Sequence, residues 1–157
     1  MSKPKAADQY TAEEMQQLLV AGGKLIGTYP AQAAVHLLTF TELPGRSDFA
    51  ALVDVEEVPD HDGQPVLAAF VRDWPALASG PAISYRTGGD ARLLALAASL
   101  ACGQPVDLSA NVGVGGHAHA KRVIEAFAIA TGTAEFYTVT PTPALDEMLA
   151  ARDALFR

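Results

Sequence analysis

Residues 111–122 read Asn-Val-Gly-Val-Gly-Gly-His-Ala-His-Ala-Lys-Arg and lead into a predicted helix over 116–131. The first N–H groups of a helix are unpaired and carry partial positive charge, and glycines let an anion approach them closely. His117 and Lys121 are four residues apart and share a helix face, which Arg122 flanks. The pattern therefore predicts a site for one anionic group, formed by Gly115, Gly116, His117, Lys121 and Arg122.

A second interpretation of the same residues needs no ligand. The glycines match neither the dinucleotide fingerprint nor the phosphate loop, which ends in Gly-Lys-Ser/Thr. Lys121 and Glu125 form an i,i+4 pair that stabilises a helix by itself. The loop is then a turn between packed helices, with His117 and Lys121 on a solvated face.

The histidines do not predict a metal site. On an extended strand His117 and His119 would share a face, but on a helix they point roughly 200° apart. Neither a cysteine pair nor a His-Glu-x-x-His pattern completes a ligand set. The acidic run over 54–62 lacks the spacing of a calcium loop and is typical of the solvent face of a hairpin. We expect no metal and no cofactor.

Candidate nucleophiles are equally isolated. Cys102 ends an apolar helix with no base or cation nearby in sequence, so we expect a small buried hydrophobe. Ser84, Ser99 and Ser109 lack the flanking glycines of a nucleophile elbow. The sequence thus favours binding over catalysis and leaves an enzyme open.

The elements that position these residues are marked by caps and breakers. Thr11 and Glu14 form a capping box for a first helix, which Gly22-Gly23 is expected to end. Pro30 opens a helix over about 30–42, and two β-rich runs predict a hairpin over about 53–71. Asp90 is expected to cap a helix over 91–102, with Gly103 at its C-terminal end.

The last third predicts a helix, a strand and a helix. The helix over 116–131 has an apolar stripe expected to face the core: Ala120, Val123, Ile124, Phe127 and Ala128. A β-branched and aromatic run predicts a strand over about 135–140. Thr142-Pro143 starts a final helix whose expected inner side carries Leu145, Met148, Leu149 and Phe156. The order of elements predicts an α+β fold, mostly helical, with a small antiparallel sheet.

Composition limits the classes of function. The 157 residues are 50% hydrophobic and 18% charged, which predicts one globular domain over 10–157 behind a flexible tail over 1–9. A net charge of -7 argues against broad nucleic-acid or anionic-membrane binding. We expect a cytoplasmic location, because the sequence has a single cysteine, no hydrophobic leader and no long apolar run.

Three hypotheses follow for function. The first is a cytoplasmic protein-binding domain, regulatory or adaptor in role, with the homodimer as one form of it. The second is a winged-helix DNA-binding regulator that reads DNA with the helix over 116–131 and uses the strand over 135–140 in its wing. The third is a small enzyme or ligand-binding domain that holds an anion at the start of that helix.

Overall fold

The computed structural model describes residues 4–113 and 115–157, which form eight α-helices and one two-stranded antiparallel sheet. The helices are α1 Ala12–Ile26, α2 Tyr29–Leu38, α3 Ser47–Ala50, α4 Trp74–Ser79, α5 Gly88–Cys102, α6 Leu108–Asn111, α7 His117–Ala130 and α8 Pro143–Leu155. The strands are β1 Val53–Pro59 and β2 Pro65–Val71, and short 3₁₀ turns occupy Ala7–Gln9 and Leu43–Gly45. The expected mostly helical α+β class is confirmed. No helix in the described ranges is long and apolar enough to cross a membrane.

Helix α1 begins as predicted but ends later. The Glu14 amide donates to Thr11 Oγ1 at 3.2 Å, and the Thr11 amide donates to the Glu14 carboxylate at 2.8 Å, so the capping box is confirmed. The predicted stop at Gly22-Gly23 is wrong, because the helix continues to Ile26 and Gly27 provides the left-handed cap. A Cβ on Gly22 would lie 2.1 Å from the Ala69 carbonyl oxygen. The glycine therefore permits close packing of α1 on β2.

The hairpin is confirmed, with register from Val53 opposite Val71 to Pro59 opposite Pro65. Its connection, residues 60–64, is organised by the Asp60 carboxylate, which accepts bonds from two amides of the loop. Turn residues and strand pairing therefore agree with the pattern in the sequence.

Helix α5 starts earlier than predicted. Thr87 Oγ1, rather than Asp90, accepts the capping bond, and it comes from the Asp90 amide at 3.0 Å. Asp90 lies in the first turn, buried, and Gly103 forms the expected left-handed end. Because both residue types make good caps, sequence alone did not decide between them.

The core consists of two apolar clusters joined by α2 and α5. The first lies between α1, α2, the hairpin and α4 and includes Met15, Leu19, Val35, Leu38, Leu43, Phe49, Val53, Ala69, Leu77, Ile83 and Leu94. The second lies between α2, α5 and α7 and includes Ala33, Ala34, Leu37, Leu93, Leu96, Ala97, Val123 and Ala126. Trp74 packs against both clusters.

Helix α7 has nearly its predicted length but presents a different face to the core. Val123 and Ala126 are buried, whereas Ile124 and Phe127 are 54% and 41% exposed. The alanines of α2 allow close approach, which suits the small Ala126 better than Phe127. The expected inner stripe through Ile124 and Phe127 is therefore wrong.

The strand expected over 135–140 does not form. The chain turns instead, with bonds from the Thr133 amide to the Ala128 carbonyl and from the Phe136 amide to the Thr133 carbonyl. A strand needs a ladder partner, and β1 and β2 pair only with each other in the part of the chain described. The β-rich composition of residues 135–140 favours an extended strand, but it does not provide the second strand that a sheet needs.

Helix α8 forms as predicted, with Pro143 in its first turn, but it contributes no residue to the core. None of its residues is buried, including the four expected to face the core, and Phe156 is 85% exposed. The helix contacts no other described element extensively. Leu145 and Leu149 are half-buried and Met148 is 50% exposed, so the apolar stripe is covered only in part.

Candidate functional site

The glycine-rich loop leads directly into α7. Gly115 and Gly116 have φ of 108° and 85°, and Gly116 is the N-cap residue. These backbone angles favour glycine. Val114, within the same predicted loop, lies outside the described residues. His117, the first helical residue, is exposed.

His119 packs beneath this loop. Its ring meets Phe40 edge to face at a centroid distance of 5.1 Å. A Cβ on Gly115 would lie 2.6 Å from the His119 ring, and one on Gly89 would lie 2.8 Å from its Nε2. His119 therefore fills the space between the loop, α5 and Phe40. No group of three or more potential metal-binding side chains occurs within residues 4–113 and 115–157.

Arg122 points away from the loop toward α2. Its Nε donates to the His36 carbonyl at 2.7 Å, and its Nη2 donates to Thr39 Oγ1 at 3.0 Å. The guanidinium carbon lies 5.4 Å from the centre of the Phe40 ring. The carbonyls of the last turn of a helix lack intrahelical partners, so Arg122 stabilises the C-terminal end of α2.

Lys121 and His36 both meet Glu125. Lys121 Nζ lies 3.5 Å from one carboxylate oxygen, and His36 Nε2 lies 3.0 Å from the other. Burial lowers the pKa of His36, Arg122 lowers it further, and Glu125 opposes the change. Burial also acts to raise the pKa of Glu125, but the His36 hydrogen bond and nearby positive charges outweigh it. The predicted i,i+4 pair is therefore present.

The structure thus divides the predicted anion site. Gly115, Gly116 and His117 stay together at the start of α7, while Lys121 pairs with Glu125 and Arg122 turns to α2. The two cations do not converge with the glycines on one spot. Because Lys121 and Arg122 are consecutive on a helix, their side chains point about 100° apart and meet different neighbours.

A cleft between α1, α2, α7 and residues 132–135 is the site that the sequence pattern missed. It has a volume of about 270 Å³ and is lined by Val20, Gly23, Lys24, Tyr29, Gln32, Val35, His36, Thr39, Arg122, Ile129, Gly132, Ala134 and Glu135. The lining comes from four separate segments, and only the packing of the helices brings them together. Of its lining residues, only Arg122 belongs to the sequence-predicted anion site.

A second uncovered region lies beside the outer face of α7. A shallow groove there, the α7 groove, is lined by Ile124, Phe127, Ala128, Thr131, Thr133 and residues 137–140. The C-terminal arm, residues 133–157, continues from it and contributes no buried residue. Phe136 and Tyr137 in this arm are 75% and 70% exposed.

The remaining candidates do not form a site. Cys102 is exposed, so its expected burial is wrong; α5 extends past the core there, and the thiol donates to the Ala98 carbonyl. Of the acidic side chains of β1 and the following loop, Asp54, Glu56 and Asp62 are exposed as expected, and Asp54 pairs with Arg72 at 2.6 Å. Glu57 is half-buried, and its Oε1 is buried without a hydrogen-bond partner among the described residues, so for this residue the expected solvent face is wrong. Ser84 donates to the Asp48 carboxylate, a structural contact.

Comparison with known proteins gives no relative. No family model, curated protein or solved structure matches this chain.

Proposed function

We propose that this chain is a non-catalytic, cytoplasmic protein-binding domain of regulatory or adaptor type, which pairs with a second copy of itself through the C-terminal arm. The observation that carries the proposal is the exposure of the arm. The arm carries several aromatic and aliphatic side chains, and none of them is buried within the chain. Contiguous exposed apolar surface of this kind marks protein-interaction sites.

The chain offers both halves of one interface. Helix α8 has an apolar face through Leu145, Met148 and Leu149, and the α7 groove offers an apolar surface without a cover. Helices α8 and α7 have similar lengths, 13 and 14 residues. When two copies exchange α8, the end of the arm, about a two-fold axis, each α7 groove receives the partner's α8. Both apolar surfaces are then covered in each copy.

Charge favours the partner's α8 over the chain's own. In a parallel alignment Asp146, near the start of α8, would lie at the positive N-terminal end of α7. The direct return of one chain onto its own α7 is antiparallel and brings Asp146 to the negative C-terminal end. Exchange between copies in this alignment therefore places Asp146 at the positive end of α7, where direct folding back does not.

The contacts that Arg122 and Lys121 make within the chain weaken the case for DNA binding. Arg122 is held by α2 and Lys121 by Glu125, so the expected reading face presents few free cations. Residues 135–140 form no strand that could serve as a wing. The net charge of -7 adds a repulsive field toward phosphates.

Light scattering after size exclusion tests the proposal. We expect twice the chain mass for the wild type at concentrations of about 100 μM, because a small apolar interface of this type gives affinities near the micromolar range. Leu149→Glu places a charge on the apolar face of α8 and should give the chain mass. Phe127→Glu should do the same from the groove side.

Ala154→Glu is the matched control. It introduces the same charged residue on the same helix, about 180° around the axis from Leu145, and should leave the dimer intact. A monomeric wild type at these concentrations would overturn the proposal, whether α8 stays free or folds back onto its own chain. Equal loss of the dimer in Ala154→Glu and Leu149→Glu would also contradict the arm-exchange interface.

A further inference from the structure

The cleft between α1, α2 and α7 has one apolar side and one polar end. Val20, Val35 and Ile129 supply aliphatic surface from three different helices. The Tyr29 ring borders the cleft close to Gly132, where a Cβ would lie 2.7 Å from the ring. Ligand sites commonly combine such apolar walls with a few placed polar groups.

The polar end is built around Arg122. Its contacts with His36 and Thr39 fix the guanidinium, and among described residues they use two of its five N–H groups. The side chain is half-buried and lines the cleft. A guanidinium already held in place binds a carboxylate with little further loss of conformational freedom.

The charges of the lining favour a monoanion. Lys24 adds a second cation at an exposed position, and Glu135 contributes one carboxylate. With His36 neutral, the lining carries one net positive charge. A singly charged carboxylate balances it, whereas a phosphate dianion would leave excess negative charge beside Glu135.

The size of the cleft limits the apolar part. Its volume is about 270 Å³. That is just below the usual range for drug-sized ligands, so a compact body of a few carbon atoms fits best.

We infer that this cleft binds a small carboxylate with a compact apolar body. The carboxylate group lies against Arg122, with Lys24 on the exposed side of the lining, and the apolar body lies against Val20, Val35 and Ile129. The same chemistry occurs in branched carboxylic acids and in apolar amino acids. An amino acid adds an ammonium group, for which Glu135 is the partner in the lining.

Titration calorimetry at pH 7 in a buffer free of carboxylates tests the inference with three probes. These are 4-methylpentanoate, the amino acid leucine and 4-methylpentanamide, which share one branched body. We expect saturable binding of the acid with a Kd of about 1 mM or tighter. The uncharged amide should bind at least about tenfold more weakly, because it cannot pair with the guanidinium. Leucine binding more tightly than the acid assigns an amino acid, and weaker leucine binding assigns a simple acid.

Two lysine variants separate the cleft from general charge. Lys24→Gln should weaken acid binding by about twofold to fivefold, because it removes an exposed positive charge from the lining. Lys121→Gln removes the same charge outside the cleft lining and should leave binding unchanged. Ala134→Trp, at an exposed lining position, should fill the cleft and abolish binding without touching the core.

Arg122→Lys removes the planar group and should weaken binding at least about tenfold where the variant folds. If it does not fold, the Lys24 and Ala134 variants still decide the matter. No saturable binding of either charged probe in the millimolar range would overturn the inference. So would amide binding as tight as acid binding, or unchanged binding in Ala134→Trp.

Discussion

Asp48 joins two parts of the chain that are distant in sequence. Its carboxylate accepts from Arg46 Nε at 2.9 Å and from both the amide and the hydroxyl of Ser84 at 3.0 Å. The Arg46 hydrogen bond, aided by Ser84, holds the pKa of Asp48 well below its usual range, against the effect of burial. The ionised carboxylate thus ties α3 to the segment before α5.

Asp48→Asn should therefore destabilise the fold in a pH-dependent way. A carboxyl whose folded-state pKa is lowered stabilises the protein above its unfolded value of about 3.9. That contribution is lost as pH falls from there toward the folded pKa. We expect a loss of about 1.5–3 kcal/mol at pH 7, typical of hydrogen bonds to a charged group, shrinking below pH 4. Urea titrations at pH 7 and pH 3 measure it.

Asp54→Asn is the comparison for this measurement. Asp54 also pairs with an arginine, Arg72, but both side chains are about half exposed. Its substitution should cost less than about 1 kcal/mol at any pH. A difference between wild type and Asp48→Asn that stays constant from pH 7 to pH 3 would contradict the role assigned to the ionised carboxylate.

Single residues could be predicted where their partners are close in sequence. The capping box of Thr11 and Glu14 and the pair of Lys121 and Glu125 depend on spacings of three and four residues, and both form. Arg122 depends on contacts with His36 and Thr39 in another helix. No local pattern reports such a partner, so the position of Arg122 against α2 could not be predicted from spacing.

At the scale of elements, glycine shows the same division between local and distant causes. Gly22 and Gly23 predict a helix end by their flexibility, yet α1 continues through both. Their positions are determined by β2 and α2, against which the helix packs. Similarly, the β-rich run over 135–140 has strand propensity but no partner strand, since sheet formation depends on a second segment.

Gly22→Ala should destabilise the protein, although alanine normally favours a helix. The new Cβ would lie 2.1 Å from the backbone oxygen of Ala69, which cannot move without shifting β2. Overpacking of this kind costs about 1–3 kcal/mol and exceeds the gain in helix propensity of about 1 kcal/mol. Thermal and urea unfolding measure the change.

Gly88→Ala provides the opposite expectation on another helix. Gly88 is the first residue of α5, and a Cβ there meets nothing within 4 Å. Its substitution should be neutral or stabilise by up to about 1 kcal/mol. If Gly22→Ala stabilised the protein as Gly88→Ala does, the close approach of α1 to β2 would be wrong.

For the whole molecule, class was predictable because it depends on the sum of many local signals. Helical periodicity, one hairpin and their order gave the α+β class, and errors at single boundaries did not change it. The face of α7 and the isolation of α8 were not predictable. An apolar stripe predicts that a helix has a partner, but it does not identify whether the partner belongs to the same chain.

The two core clusters should unfold together in spite of their different neighbours. Helix α2 gives Val35 and Leu38 to one cluster and Ala34 and Leu37 to the other, so neither can open without disturbing α2.

Trp74, the one tryptophan of the chain, contacts both clusters and reports on their junction. Urea unfolding of the full-length Leu149→Glu variant should therefore give one midpoint by Trp74 fluorescence and by far-ultraviolet circular dichroism. This variant keeps dimer dissociation out of the measurement, and the unpacked α8 adds only a sloping baseline to the dichroism, because a short isolated helix melts without cooperativity. Two separated midpoints would mean that the clusters are independent folding units and that α2 does not couple them.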